Sequence, residues 1–70
     1  MKITRTYEVW TGSTMVVDYV GRDYAMKIAR EEMERELKER PDNPAEVVVD
    51  ETIHYSLETM EDVNKLEETL

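Results

Sequence analysis

The fold is decided by residues 23–40, DYAMKIAREEMERELKER, in which apolar side chains recur with helical spacing. Ala25, Ala29, Met33 and Leu37 follow one another at intervals of four, so on a helix they form one continuous ridge. At about 1.5 Å per residue, a helix of this length is about 27 Å long and can cross a small sheet. The stretch therefore predicts a long amphipathic helix that packs this ridge against the rest of the chain.

Local signals mark the ends and the flanks of this helix. Asp23 can cap the first turn or complement the helix dipole there, with Gly21 as the competing cap position. Pro41 ends the helix because it excludes helical geometry at the residue before it. The outer face pairs acidic and basic residues four apart, which is typical of a solvated surface. Glu32 and Glu36 are like charges on the flank of the ridge, and we expect that flank to reach water.

Residues 2–20 alternate between apolar and polar side chains and predict a β-hairpin. Gly12 and Ser13 are turn residues, and a loop with an odd number of residues, 12–14, places the apolar side chains of both strands on one face. An even loop would instead mix polar and apolar residues on both faces. The cross-strand pairs predicted from the odd loop are Tyr7 with Tyr19 and Val9 with Val17.

The chain after the long helix predicts one more strand and one more helix. Residues 46–55 alternate again, except that Glu51 falls on the apolar side, so we expect either a bulge near Asp50 and Glu51 or a strand that extends past the core. Residues 57–70 have helical periodicity, with Ser56 or Thr59 as the cap. The apolar positions of this second helix are Leu57, Met60, Val63, Leu66 and Leu70.

These elements predict a single α+β domain, residues 1–70, with the order ββαβα. A crossover through the long helix favours a three-stranded antiparallel sheet of order 2-1-3, with that helix on one face. The C-terminal helix either completes the core of the monomer or docks on a partner or a second copy, which would make a homodimer. The other sheet face is expected to present Trp10, Val16, Val20 and Val48.

Composition restricts the chemistry open to the chain. The absence of cysteine excludes disulfides, thiolate catalysis and zinc sites with sulfur ligands. His54 lies on the polar side of its strand without an identifiable partner, and no nucleophile and base can be paired, so no enzyme activity, cofactor or metal site is expected. No apolar run is long enough to span a membrane, and residues 1–5 lack the core of a signal peptide, so the expected compartment is the cytoplasm.

Charge is the most informative feature of the sequence. Up to Pro41 the acidic and basic residues balance, whereas the whole net charge of −8 resides in the residues after it, where Lys65 is the only base. Such a field attracts basic surfaces and repels phosphates, which argues against direct binding of nucleic acid. The predicted partner-binding residues are the carboxylates Asp50, Glu51, Glu58, Glu61, Asp62, Glu67 and Glu68.

The sequence thus predicts an acidic protein-interaction module that occludes the basic, nucleic-acid-binding surface of another protein. Its profile is that of phage-encoded inhibitors of CRISPR or restriction systems, a similarity of size and charge alone. The alternative is a structural or self-assembling small domain, natural or designed, that is dimeric and has no activity of its own.

Overall fold

The computed structural model describes all 70 residues and contains five elements. Three strands form one antiparallel sheet of order β2-β1-β3, which confirms the predicted ββαβα fold and its strand order. The second helix begins later than predicted because Thr59 serves as its N-cap. The elements are β1 (Lys2–Thr11), β2 (Thr14–Val20), α1 (Arg22–Glu39), β3 (Val47–Ser56) and α2 (Met60–Thr69).

The β1–β2 hairpin has an even, two-residue turn, so the predicted odd loop is wrong. Thr11 pairs with Thr14 across the turn, and Gly12 has a φ of +58°, which suits the first central position of a type II′ turn. Two register shifts follow along the strands, and the first restores the predicted pairing of Val9 with Val17. Past the second shift, Tyr7 pairs with Val20 rather than with Tyr19.

Tyr19 lies within this irregular part of β2 and adopts a left-handed backbone conformation with a φ of +59°. Its ring is exposed and lies edge-on to the ring of His54, with centroids 5.9 Å apart. Left-handed geometry is unfavourable for a residue with a large side chain. The second register shift therefore displaces Tyr19 from the expected pair and strains its backbone.

The helix α1 is turned relative to the predicted ridge. Ala25 and Ala29 are buried as expected, but the C-terminal half of the helix buries Glu32 and Glu36 in place of Met33 and Leu37. The expectation that the two glutamates face water is therefore wrong. Gly21 is the N-cap, with no side-chain hydrogen bond at that end of the helix.

The core is small and lies between α1 and one half of the sheet. Val9, Ala25 and Ala29 are its only buried apolar residues. Val20 packs against this cluster, and Val16 lines a cavity next to α1. The prediction that both lie on the open sheet face is therefore wrong. Trp10 and Val48, which are cross-strand neighbours, do lie on the face that no helix covers.

The strand β3 pairs with β1 over its whole length without a bulge, from Val47 opposite Thr11 to Ser56 opposite Lys2. Of the two expectations for Glu51, the bulge is wrong. The side chain of Glu51 is instead solvent-exposed, next to the half-buried Tyr7. The strand therefore extends past the core at this point.

The molecule is elongated, with principal dimensions of 53 × 19 × 15 Å. α1 begins beside Tyr7, where β2 ends, and runs toward Thr11, so it covers only that half of the sheet. The other half is a two-stranded ribbon in which residues 2–6 pair with residues 52–56. α2 follows this ribbon and packs against no other helix or strand. Neither helix is long and apolar enough to cross a membrane.

Candidate functional site

The acidic residues predicted to bind a partner are distributed along β3 and α2. Six of them are exposed, and Asp62 is buried, with 8% of its surface accessible. They do not converge on one point, because β3 and α2 occupy successive positions along the long axis of the molecule. The exposed members are Asp50, Glu51, Glu58, Glu61, Glu67 and Glu68.

The two acids of β3 point to opposite faces of the sheet. Asp50 is directly opposite Glu8 on β1, a pairing of like charges that is unfavourable unless the carboxylates are solvated. Glu51 lies on the face that carries α1, where its Oε2 accepts a hydrogen bond from the Tyr7 hydroxyl at 2.6 Å. This hydrogen bond and partial burial raise the pKa of Tyr7 above its ordinary value.

Asp62 has a structural role at the start of α2. Its carboxylate accepts hydrogen bonds from the backbone N–H of Glu58 and from the amine of Met1, both at 3.0 Å. The same contacts, the backbone bond foremost, hold the pKa of Asp62 below its ordinary value. Thr59 Oγ1 in turn accepts a hydrogen bond from the backbone N–H of Asp62, so Thr59 is the cap of the two candidates. Asp62 thus anchors α2 to the end of the sheet.

α2 separates its charges from its apolar side chains. Glu61 and Glu68 lie on one side of the helix, and Glu61 forms an ion pair with Lys65 at 3.4 Å. The opposite side carries an apolar stripe, and no other helix or strand lies close to it. The stripe consists of Met60, Val63, Leu66 and Leu70, of which only Leu66 is half-buried and the others are exposed.

The arginines do not neutralise these acids. Every arginine ion pair joins residues within α1 or at its C-terminal cap: Arg22 with Asp23, Arg35 with Glu32, and Arg40 with Glu36 and Glu39. The only cations paired with acids of the C-terminal part are Lys65 and the amine of Met1. No arginine therefore forms an ion pair with an acid of the C-terminal part of the chain.

A second polar cluster, around Glu32 and Glu36, was missed by the sequence reasoning. Glu32 Oε1 accepts hydrogen bonds from Thr11 Oγ1 at 2.7 Å and from Arg35 at 2.6 Å. Glu36 binds Arg40 and the backbone N–H of Ala45. The spacings Glu32 to Arg35 and Glu36 to Arg40 were the available signals, because both suit ion pairs on a helix.

This cluster borders an open cavity of about 370 Å³ between the β1–β2 turn and the end of α1. Both carboxylates already have partners within the chain, and no buried side-chain nitrogen or oxygen lacks a hydrogen bond. The cluster therefore fixes the turn and the 41–45 loop to α1, and its groups are not free to bind a ligand.

His54 and Trp10 lie on the sheet face opposite α1. His54 Nε2 is 3.0 Å from Thr6 Oγ1, and the indole N–H of Trp10 donates to Glu8 at 3.1 Å. Both side chains are half-buried, and the ring nitrogens named here each have a hydrogen-bond partner on β1. No group of three or more histidine, aspartate or glutamate side chains is arranged to hold a metal ion.

No protein-family model, curated protein or solved structure matches this chain.

Proposed function

We propose that this protein is an acidic interaction module that binds a basic, nucleic-acid-binding surface of another protein and occludes it. The observation that supports this proposal is the charge pattern along β3 and α2. Six of the carboxylates there are exposed, and no arginine of the chain forms an ion pair with them. Such a surface accelerates encounter with a basic groove and is itself repelled by nucleic acid.

The elongated shape supports the same proposal. The acids extend from the middle of β3 into α2, along a molecule 53 Å long and only 19 Å wide. A narrow acidic body of this kind can enter a groove that is wide enough for a nucleic-acid strand. The binding residues are the exposed carboxylates Asp50, Glu51, Glu58, Glu61, Glu67 and Glu68, while Asp62 holds α2 in place.

The test is a competition experiment on a captured partner. Immobilised chain is used to capture proteins from a lysate at low salt, and each captured protein is assayed for release of a fluorescent oligonucleotide on addition of the free chain. We expect release at low salt and little release at high salt, because screening weakens this attraction. A partner that retains the oligonucleotide, or whose binding to the chain is insensitive to salt, contradicts the proposal.

A matched pair of triple variants locates the surface. The first triple variant combines Asp50→Asn, Glu58→Gln and Glu68→Gln and removes three negative charges from the C-terminal part. It should weaken binding to the captured partner by about tenfold or more. The control, Glu31→Gln with Glu34→Gln and Glu39→Gln, removes the same charge from α1, whose acids lie among bases. We expect the control to bind nearly as well as the native chain, and equal losses in both would contradict the assignment.

A second candidate function is a structural or self-assembling domain without activity of its own. The observation that favours it is that α2 packs against no other element of its chain. A helix of ten residues is marginal in water unless its apolar side is covered.

A further inference from the structure

We infer that two copies of this chain form a two-fold dimer in which α2 of each copy docks on the uncovered ribbon of the other. The ribbon is the part of the sheet formed by residues 2–6 and 52–56, which α1 does not reach. This inference concerns the apolar side of α2, and of the proposed partner-binding acids it uses Glu67 alone.

The surface area of the single chain indicates that an interface is missing. A compact monomer of this mass is expected to expose about 4600 Å², whereas this chain exposes 5454 Å². The excess is close to the roughly 800 Å² that each partner buries in a standard dimer. The radius of gyration, 16.8 Å, likewise exceeds the value of about 11 Å for a compact domain of this length.

Two groups of exposed apolar side chains lie in the half of the molecule that α1 does not cover. On the α1 side of the ribbon, Ile3 and Ile53 are 48% and 38% exposed, and the neighbouring Tyr55 is half-buried. On α2, Met60 is 72% exposed and Val63 is 36% exposed. A two-stranded ribbon whose apolar face is uncovered is at best marginally stable in water, so this half of the molecule needs a covering layer.

The dimensions and the charges identify the occupant as a second copy. Ten helical residues extend about 15 Å, and five strand residues extend about 16 Å, so α2 matches the ribbon in length. Arg5 lies on the same ribbon face as Ile3 and has no ion-pair partner within the chain. Glu67 follows Val63 by one helical turn and flanks the apolar stripe, so it can pair with Arg5 of the other copy.

Two-fold symmetry follows from the position of α2. Because α2 lies at the tip of its own ribbon, antiparallel alignment of two ribbons brings each α2 over the other chain. The contact is then made twice with the same residues, and the assembly closes at two copies. Each α2 occupies the position on its partner's ribbon that α1 occupies on the other half of the sheet. The acids on the polar side of α2, Glu61 and Glu68, stay exposed.

The first test measures the mass of the isolated chain by light scattering across micromolar to submillimolar concentrations. We expect a dimer that Leu66→Ser dissociates, with a dissociation constant raised by about tenfold or more. The matched control is Leu37→Ser, since Leu37 is an exposed leucine of α1 outside the proposed interface. A native chain that is monomeric over this range, or equal effects of the two substitutions, overturns the inference.

The second test locates the contact by charge exchange. Arg5→Glu and Glu67→Arg should each weaken the dimer, and the double variant should restore it because the pair is re-formed with reversed signs. A double variant no tighter than the single variants overturns the docking of α2 on the ribbon. These measurements involve no other protein, so a failure here is distinguishable from a failure to displace an oligonucleotide.

Discussion

Glu36 of α1 accepts a hydrogen bond from the backbone N–H of Ala45 at 2.8 Å, across the loop that joins α1 to β3. This carboxylate is buried, and its other oxygen is bound by Arg40. The loop between the helix and the third strand is therefore held by one side chain of the helix that precedes it. Because the loop contains Pro41 and Pro44, which have no backbone N–H, few alternative hydrogen bonds are available to it.

Replacing this carboxylate should destabilise the fold. Glu36→Ala leaves the Ala45 N–H without its acceptor, and we expect the free energy of unfolding to fall by about 1–3 kcal/mol. The control is Glu34→Ala, an exposed position on the same helix, where a change within about 0.5 kcal/mol is expected. Urea denaturation followed by circular dichroism measures both, and similar losses would show that the Ala45 contact contributes nothing.

The two glycines should respond to substitution with opposite signs. Gly12 has a φ of +58°, and Gly12→Ala should cost about 1 kcal/mol because a side chain disfavours this conformation. Gly21, with a φ of −75° and no atom within 4 Å of an added Cβ, is an N-cap without a side chain. Gly21→Ser should therefore stabilise the protein by about 0.5 kcal/mol. Thermal unfolding of the two variants checks this, and a shift in the same direction for both would contradict it.

The hydrogen bond between Tyr7 and Glu51 should be visible in an alkaline titration. Since the pKa of Tyr7 is raised by Glu51, one of the four tyrosines should ionise at a higher pH than the rest. Glu51→Gln should move that ionisation back toward the ordinary value of about 10. The ultraviolet absorbance of tyrosinate measures this, and Tyr7→Phe assigns the signal. The control, Asp50→Asn, alters the opposite sheet face and should leave the titration unchanged.

The sign of the stability effect follows from the same shift. Because the folded state holds the Tyr7 proton more tightly than the unfolded chain, the stabilisation is complete below the ordinary tyrosine pKa. This stabilisation is lost as the pH rises through the raised pKa of Tyr7. The native chain should therefore lose more stability in alkali than Tyr7→Phe does, and an equal loss would contradict the assignment.

The existence and order of all five elements could be predicted from periodicity, turn residues and caps, but the rotation of α1 could not. A ridge with a spacing of four drifts by about 40° per step around a helix, so Met33 and Leu37 turn away from a sheet that Ala25 and Ala29 face. The positions that stay over the sheet are those of Glu32 and Glu36. Their burial depends on Thr11 and Ala45, partners whose proximity the local sequence does not indicate.

The register of the β1–β2 hairpin also could not be predicted from local sequence alone. Alternation along a strand predicts a register only when the ladder is regular, and β2 contains two shifts. Val9 still faces Val17 because the first shift offsets the shorter turn. At the candidate site, the sequence identified the acidic residues and the Thr59 cap. The internal role of Asp62 rests on the nearby backbone N–H of Glu58 and on the amine of Met1. Met1 is 61 residues away in the chain, so this second contact has no local signal.

The edge position of β3 has a consequence for how copies of this protein can aggregate. An open strand edge can pair with another copy and extend the sheet indefinitely. In β3, however, Asp50 and Glu51 are adjacent at mid-strand, so a second β3 laid antiparallel alongside would bring four carboxylates together. The acidic residues thus disfavour fibril growth from this edge of the sheet.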